Sequence, residues 1–286
     1  MPTRLADLAT RSVWDRIAVS GDPSAPVAVG GDLDVATLAG AYRRGIFPWP
    51  PGNAEEAAEL RGRFGHAVAS GAIPNLAPGR PPALDLPWWN PDPRGVIRIG
   101  TLHLPRSLRA VLSSCGWTTT LDTCFADVVG RCGEGRASVW ITPLVVDAYA
   151  RLNAHGAAHS LEVWAGEELV GGLYGVLVGG VFMGESMFHR RSNASKVALA
   201  DLACRLRTAG AVLIDTQFAT AHLRTLGAVE MPRERFLGVL ADVRDDEIRL
   251  HTGCQPVDRL AASRETRRSL VTPGETAVGA PARPAE

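Results

Sequence analysis

Three short segments place polar groups where apolar runs of the chain stop: Gly184-Glu185-Ser186-Met187-Phe188, Asn193-Ala194-Ser195-Lys196 and Asp215-Thr216-Gln217. Glu185 interrupts an apolar run and Asp215 closes one. Both carboxylates are therefore expected partly buried beside a cleft, where such groups act as acid, base or anchor for a cation. The plainer alternative is that each caps a turn or pairs with an arginine. Ser186 and Ser195 lack a Gly-x-Ser-x-Gly elbow with positioned His and Asp, which speaks against a serine nucleophile. Trp140, Tyr149, Phe182 and Phe188 have the character of an apolar pocket wall, although aromatic residues on such elements serve more often as plain core. Trp49, Trp88 and Trp89 sit in proline-rich loops, where stacking on a base or sugar competes with a core role.

Missing signatures narrow the chemistry. There is no phosphate-binding Gly-x4-Gly-Lys-Ser/Thr loop and no strand followed by Gly-x-Gly-x-x-Gly. The 5 cysteines are odd in number and form no Cys-x-x-Cys pair, and His155 and His159 are separated by Gly156, so neither a disulfide framework nor a zinc site is expected. The expectation is a protein without metal or cofactor and, if an enzyme, one whose substrate arrives already activated. The longest uncharged stretch, residues 169–184, carries six glycines and predicts strand and turn, not a membrane helix. The opening residues carry Arg4, Asp7, Arg11, Asp15 and Arg16 without an apolar signal segment, so a cytoplasmic protein is expected.

The elements that must position these residues follow from punctuation and periodicity. Of 286 residues 46% are hydrophobic, enough for a substantial core. The 30 cations balance the 30 anions, which excludes nucleic-acid binding by bulk charge alone, and Lys196 is the sole lysine. Asp32 or Asp34 predicts the cap of a short helix through Tyr42, stopped by Gly45 and Pro48. Residues 52–86 lack sustained periodicity and predict a flexible surface excursion. A strand is expected near 94–99, a helix over 106–113, a strand over 117–121, then a helix capped by Asp122. Thr142-Pro143 predicts a helix ending before Gly156. Residues 160–164, 169–178 and 181–188 predict an antiparallel meander, followed by a helix capped by Ser192 or Asn193 and a strand over 211–215. The whole reads as an α+β fold whose second part has the order of acetyltransferase-like folds.

Several of these words together resemble one family. They are Val29-Gly30-Gly31-Asp32-Leu33, Tyr42-Arg43-Arg44-Gly45-Ile46-Phe47-Pro48-Trp49, Trp88-Trp89-Asn90-Pro91-Asp92-Pro93-Arg94, Trp140-Ile141-Thr142-Pro143, His159 to Trp164, Gly171 to Gly175, the Glu185 and Asn193 segments, and Leu213-Ile214-Asp215-Thr216-Gln217. In that order they resemble leucyl/phenylalanyl-tRNA protein transferases over about residues 28–240, outside 52–86. The resemblance implies a small N-terminal α/β domain (1–95) and an acetyltransferase-like (GNAT-like) catalytic domain with an antiparallel meander (96–258); composition adds the flexible insertion at 52–86 and predicts a disordered tail (259–286), where polar residues, Pro and Ala dominate. It implies a bacterial cytoplasmic aminoacyltransferase that moves Leu or Phe, and less readily Met, from aminoacyl-tRNA to proteins beginning with Arg or Lys, marking them for the N-degron pathway; a monomer is the default expectation.

Carried over by position, Asp215 and Gln217 match the catalytic Asp-x-Gln, and Glu185 an acidic contact to the aminoacyl end. Trp140, Tyr149 and Phe182 match the side-chain pocket, Trp49 an aromatic near the tRNA 3′ adenosine, and Arg106 a tRNA contact. Arg94 and Lys196 lie in the two locally basic segments, 88–112 and 189–207, expected to face tRNA. Thr216 stands where relatives often carry Cys, so no thiol is required. The rival readings are an acyl-CoA-dependent N-acetyltransferase, disfavoured by His189-Arg190-Arg191-Ser192-Asn193 where a glycine-rich pyrophosphate loop would stand, and a non-catalytic RNA-binding module.

Overall fold

Glycine-bearing turns between apolar runs set the centre of the molecule. The computed structural model describes residues 5–9, 13–17, 22–77, 84–135 and 140–262. The first part of the chain forms α1 (Leu5–Leu8), β1 (Ala28–Val29), α2 (Val35–Tyr42), β2 (Phe47–Pro48), α3 (Ala54–Ala69) and β3 (Pro87–Trp89). There follow β4 (Arg94–Arg98), α4 (Arg106–Ser114), β5 (Thr118–Leu121), α5 (Phe125–Gly133) and α6 (Pro143–Ala154). The meander is β6 (Ala158–Ala165), β7 (Glu168–Val178) and β8 (Val181–His189), and α7 (Ala194–Thr208) leads to β9 (Leu213–Gln217). The chain closes with α8 (Ala221–Arg224), β10 (Val229–Met231), α9 (Arg233–Val243), β11 (Gln255–Pro256) and α10 (Arg259–Ala262).

The fold is α+β, built on a three-stranded sheet of order β1-β3-β2 and an eight-stranded sheet of order β10-β4-β9-β8-β7-β6-β5-β11. β6 to β8 form the expected antiparallel meander, β5 adds antiparallel to β6, and β9 returns through α7 to pair in parallel with β8. One face of the large sheet, with Tyr174 and Met183, shares a core with Tyr42, Phe47 and Trp88 from the N-terminal segment and with Val145 and Tyr149 of α6. The other face, with Leu173, Phe182 and Ile214, lies under Val197, Leu202 and Leu206 of α7. Burying each such side chain contributes about 1.5–3 kcal/mol. β4 zips antiparallel onto β9, so Arg94–Arg98 belong to the large sheet.

Several local expectations are corrected. Residues 54–69 form a 16-residue helix, not a spacer. Asn53 caps it by accepting from Glu56 N, while the Glu56 carboxylate accepts from Gly52 N, a reciprocal arrangement that satisfies two otherwise orphaned donors. Leu60, Phe64 and Val68 recur every fourth residue and pack with Val29, Ile73, Leu84 and Trp89. That period is short and set among Ala, Gly and Glu, which hid it. Residues 78–83 lie outside the described residues. Of the expected tail, Leu260 is buried and Arg259 is ion-paired to Asp201, whereas 263–286 lie outside the described residues. Asp122 does not cap α5; it adopts a left-handed conformation and binds Ser160 N, Asn153 and His159, tying the start of β6 to α6. Asn193 is the N-cap of α7 but is left-handed and makes no side-chain cap. Thr142 and Pro143 open α6 as the sequence predicts. No described helix is long and apolar enough to cross a membrane.

Candidate active site

The parallel pairing of β8 with β9 ends at Met183 and Asp215, and the polar segments sit just beyond. Two irregularities aim them. In β8, Ser186 pairs with Tyr174 and Gly184 with Gly175, so Glu185 is an extra residue in a bulge, turned toward α2 and α6. In β9, Gln217 has a φ of 61°, a left-handed conformation that costs an ordinary residue about 1–2 kcal/mol. Its backbone N–H donates to Asp215 Oδ1 at 2.8 Å, which holds that turn. The turn also needs Gly95 on β4, since a Cβ there would lie 2.3 Å from Ala219 N.

Asp215 is fully buried, and so is Arg94, whose Nε and Nη2 donate to its two carboxylate oxygens at 2.8 and 2.6 Å. Phe47 and Phe236 flank the guanidinium, their ring centres 4.9 and 4.7 Å from Cζ. A bidentate, stacked arginine is the strongest available support for a buried carboxylate. Glu185 is held differently. Tyr42 Oη donates to Oε1 at 2.6 Å, Tyr149 Oη approaches Oε2 at 3.3 Å, and the two phenols share a further hydrogen bond. Gln217 Nε2 donates to Glu185 Oε1 at 3.3 Å, and the glutamine's own Oε1 is its acceptor. Burial pushes the Glu185 carboxyl up to about 7; the Tyr42 hydrogen bond opposes the rise and nearby Asp215 adds to it. Burial and the facing Glu185 push both tyrosines well above their ordinary range, so they remain phenols.

Behind this polar row, between the sheet and α7, lies a cavity of about 90 Å³ whose lining includes Leu173, Phe182, Met187, Leu199 and Ile214, with Glu185 and Thr216 at its edge. Trp49 is 41% exposed, with its ring 5.5 Å from that of Phe218, the residue after Gln217.

Residues 96–241 match the family model described as leucyl/phenylalanyl-tRNA protein transferase, and residues 31–56 match the model of the N-terminal domain of the same family. A relative of that name from Aromatoleum aromaticum is 44% identical over 224 residues, covering 77% of this chain and 82% of its own. One from Syntrophobacter fumaroxidans is 45% identical over 220 residues, covering 76% and 81%. The chain belongs to the leucyl/phenylalanyl-tRNA protein transferase family. Among solved structures, a GCN5-related N-acetyltransferase from Kribbella flavida is matched at 16% identity and a TM-score of 0.32, over 49% of this chain and 54% of that one. A likeness at that level assigns no ligand.

In this transferase-family chain the expected site residues separate into three groups. Asp215, Gln217, Glu185 and Tyr149 are linked in a row by hydrogen bonds, Asp215 to Gln217, Gln217 to Glu185 and Glu185 to Tyr149. Phe182 lines the cavity on the α7 face, whereas Tyr149 is fully buried on the opposite face, edge-on to Tyr174, and half-buried Trp140 packs on that same side. The three aromatics expected to wall one pocket therefore do not share it. Arg94, expected to face tRNA, has no exposed surface to offer a phosphate and instead secures Asp215. Arg106 is exposed at the start of α4, and half-buried Lys196 donates to Asn193 Oδ1 at 3.2 Å. Trp88 is core, stacked edge-on against Trp14, and Trp89 packs against Phe64.

Sequence reasoning missed Tyr42 and most of the cavity. Tyr42 stood inside a quoted motif without a role, because nothing local distinguishes a tyrosine that holds a carboxylate from one that fills a core. Leu173, Met187 and Ile214 alternate regularly along their strands, but only the parting of β8 from β9 makes them a pocket.

Proposed function

We propose that the chain catalyses transfer of Leu or Phe, and less readily Met, from aminoacyl-tRNA to the α-amino group of proteins beginning with Arg or Lys, in the cytoplasm and as a monomer, committing them to the N-degron pathway. The observation that carries this reading is Gln217, held left-handed through its backbone N–H by Asp215 and tied through its Nε2 to Glu185, so that its Oε1 is left to accept. An aminoacyl ester is already activated. Its conversion to an amide requires the acceptor nitrogen to be deprotonated, aligned and brought to the carbonyl carbon. The new C–N bond forms, the C–O bond to the ribose breaks, and the amine proton leaves with the tRNA hydroxyl. With a reference pKa of about 7.7–8.0, an α-amino group is partly neutral near pH 7, so acceptance of one hydrogen bond by Gln217 Oε1 suffices to orient it.

The apolar cavity beside Glu185 suits an apolar side chain not branched at Cβ on the aminoacyl group, a property Leu, Phe and Met share. Glu185, placed between that cavity and Gln217, offers an anionic contact to the aminoacyl end and to a cationic acceptor. Trp49 stacks on the 3′ adenosine, and Arg106 and Lys196 meet the tRNA backbone. The test is transfer of labelled Phe from Phe-tRNA to acceptors starting with Arg, Lys or Ala. Transfer to the first two and not the third is expected, and Gln217→Ala should lower kcat at least 100-fold with an unchanged melting temperature, about 2.7 kcal/mol of transition-state positioning. No transfer to Arg or Lys starts, or wild-type rates with Gln217→Ala, would sink the proposal.

A further inference from the structure

The segment Gly31-Asp32-Leu33-Asp34 plays no part in the chemistry above. It lines one side of an open cleft of about 740 Å³. Among the described residues, the other walls include Pro50 and Pro51 after Trp49, Asp85 and Leu86 before β3, and Thr142, Leu144 and Arg151 of the α6 region. Along the chain, its lining resumes one residue past Trp49, at Pro50. Its floor is apolar, and Leu144 stands 63% exposed at its edge. Three acidic residues line it, Asp32, Asp34 and Asp85, all exposed; the Asp32 and Asp34 carboxylates also accept hydrogen bonds at the start of α2, which hold the Asp34 carboxyl below the usual range. The one cation in the lining, Arg151, is ion-paired to Asp147 on its own helix.

We propose that this cleft binds the acceptor polypeptide downstream of its first residue, as an extended chain, and favours basic residues there. The proposal rests on the transferase reading and extends it to the second substrate. Charge decides the occupant, because a single-stranded tRNA end brings phosphates against three carboxylates whereas a cationic peptide complements them. Reach is adequate. Eight-residue α2 is ~12 Å long and separates Tyr42 at the site from Asp34 at the cleft. Five extended residues cover ~17 Å.

The experiment uses the full chain with saturating Phe-tRNA and four acceptors. These are the dipeptide Arg-Ala, too short to enter the cleft, and heptapeptides that continue Arg-Ala with five neutral, lysine-containing or glutamate-containing residues. KM for the lysine peptide should be roughly five- to tenfold below that for the glutamate peptide, and Asp32→Lys with Asp85→Lys should invert that order. KM for Phe-tRNA and transfer to Arg-Ala should stay unchanged. Asp85→Lys alone lies outside the cap of α2 and should shift the order in the same direction if the double variant folds poorly. Equal KM values across the heptapeptides, or a double variant that tightens Phe-tRNA instead, would overturn the assignment, the latter making the cleft an RNA path. Failure of wild type to modify even Arg-Ala would overturn the transferase reading itself.

Discussion

Asp215 and Glu185 both touch Gln217, yet they occupy opposite settings. Asp215 has no exposed surface and meets a full positive charge on both oxygens. Glu185 is half-buried and meets only neutral donors, two phenols and an amide. An arginine fork fixes geometry and locks charge. Neutral donors fix geometry while leaving the proton free to come and go near neutrality. The site thus contains one carboxylate that builds the turn and another that can respond to substrate.

Removing the cation tests the first half of this contrast most severely. Arg94→Ala leaves Asp215 buried without a countercharge and should cost about 3–5 kcal/mol, read as a lower urea midpoint, together with loss of transfer. Arg94→Lys should recover only part of either, since an ammonium cannot serve both oxygens in a plane. If Arg94→Ala melts like wild type, Asp215 does not depend on the ion pair.

Next in size is the pH dependence that Glu185 imparts. Its folded pKa, about 7, lies above the ordinary 4.5, so the folded state holds this proton more tightly than the unfolded chain. Stability on this account is fullest below about pH 4.5 and declines as the pH rises to about 7, by up to about 3 kcal/mol. Glu185→Gln removes the titration and should raise the melting temperature at pH 8 more than at pH 5. Equal shifts at both values would mean that Glu185 does not carry this proton.

Tyr42→Phe sharpens the comparison from the other side. Tyr42 lowers the Glu185 pKa by donating to it, so its loss should move the acid limb of the rate–pH profile upward, at a stability cost of about 1 kcal/mol. A merely structural role would lower stability and leave the limb in place. Smallest of all, Gln217→Gly relieves a left-handed glutamine and should gain about 0.4–1 kcal/mol in a melting experiment while transfer falls as with Gln217→Ala. A loss of stability would mean that the side chain holds the turn, not the reverse.

The sequence made the meander, the cap at Thr142 and the triad of Glu185, Asp215 and Gln217 readable, because each is local: an alternation, a dipeptide, a polar residue ending an apolar run. Arg94 was visible as a cation and misread as surface, since its partner lies on a strand far along the chain and only pairing of β4 with β9 buries it. Tyr42 failed for the same reason. The helix over residues 54–69 was missed on composition, where three apolar residues at every fourth position were outnumbered by Ala, Gly and Glu. What sequence conveys well is order along a strand; what it conveys poorly is which strand lies next to which.

The separations of those contacts bear on how the protein comes to be active. Tyr42 and Glu185 are 143 residues apart, and Arg94 and Asp215 are 121 apart. Contacts that close such long loops carry the largest entropic cost and come after the local hairpins in folding. A nascent chain can complete β6 to β8 and still possess neither the held carboxylate nor the locked turn. Activity thereby arrives last, and a chain released early or cut between its halves is silent instead of unselective.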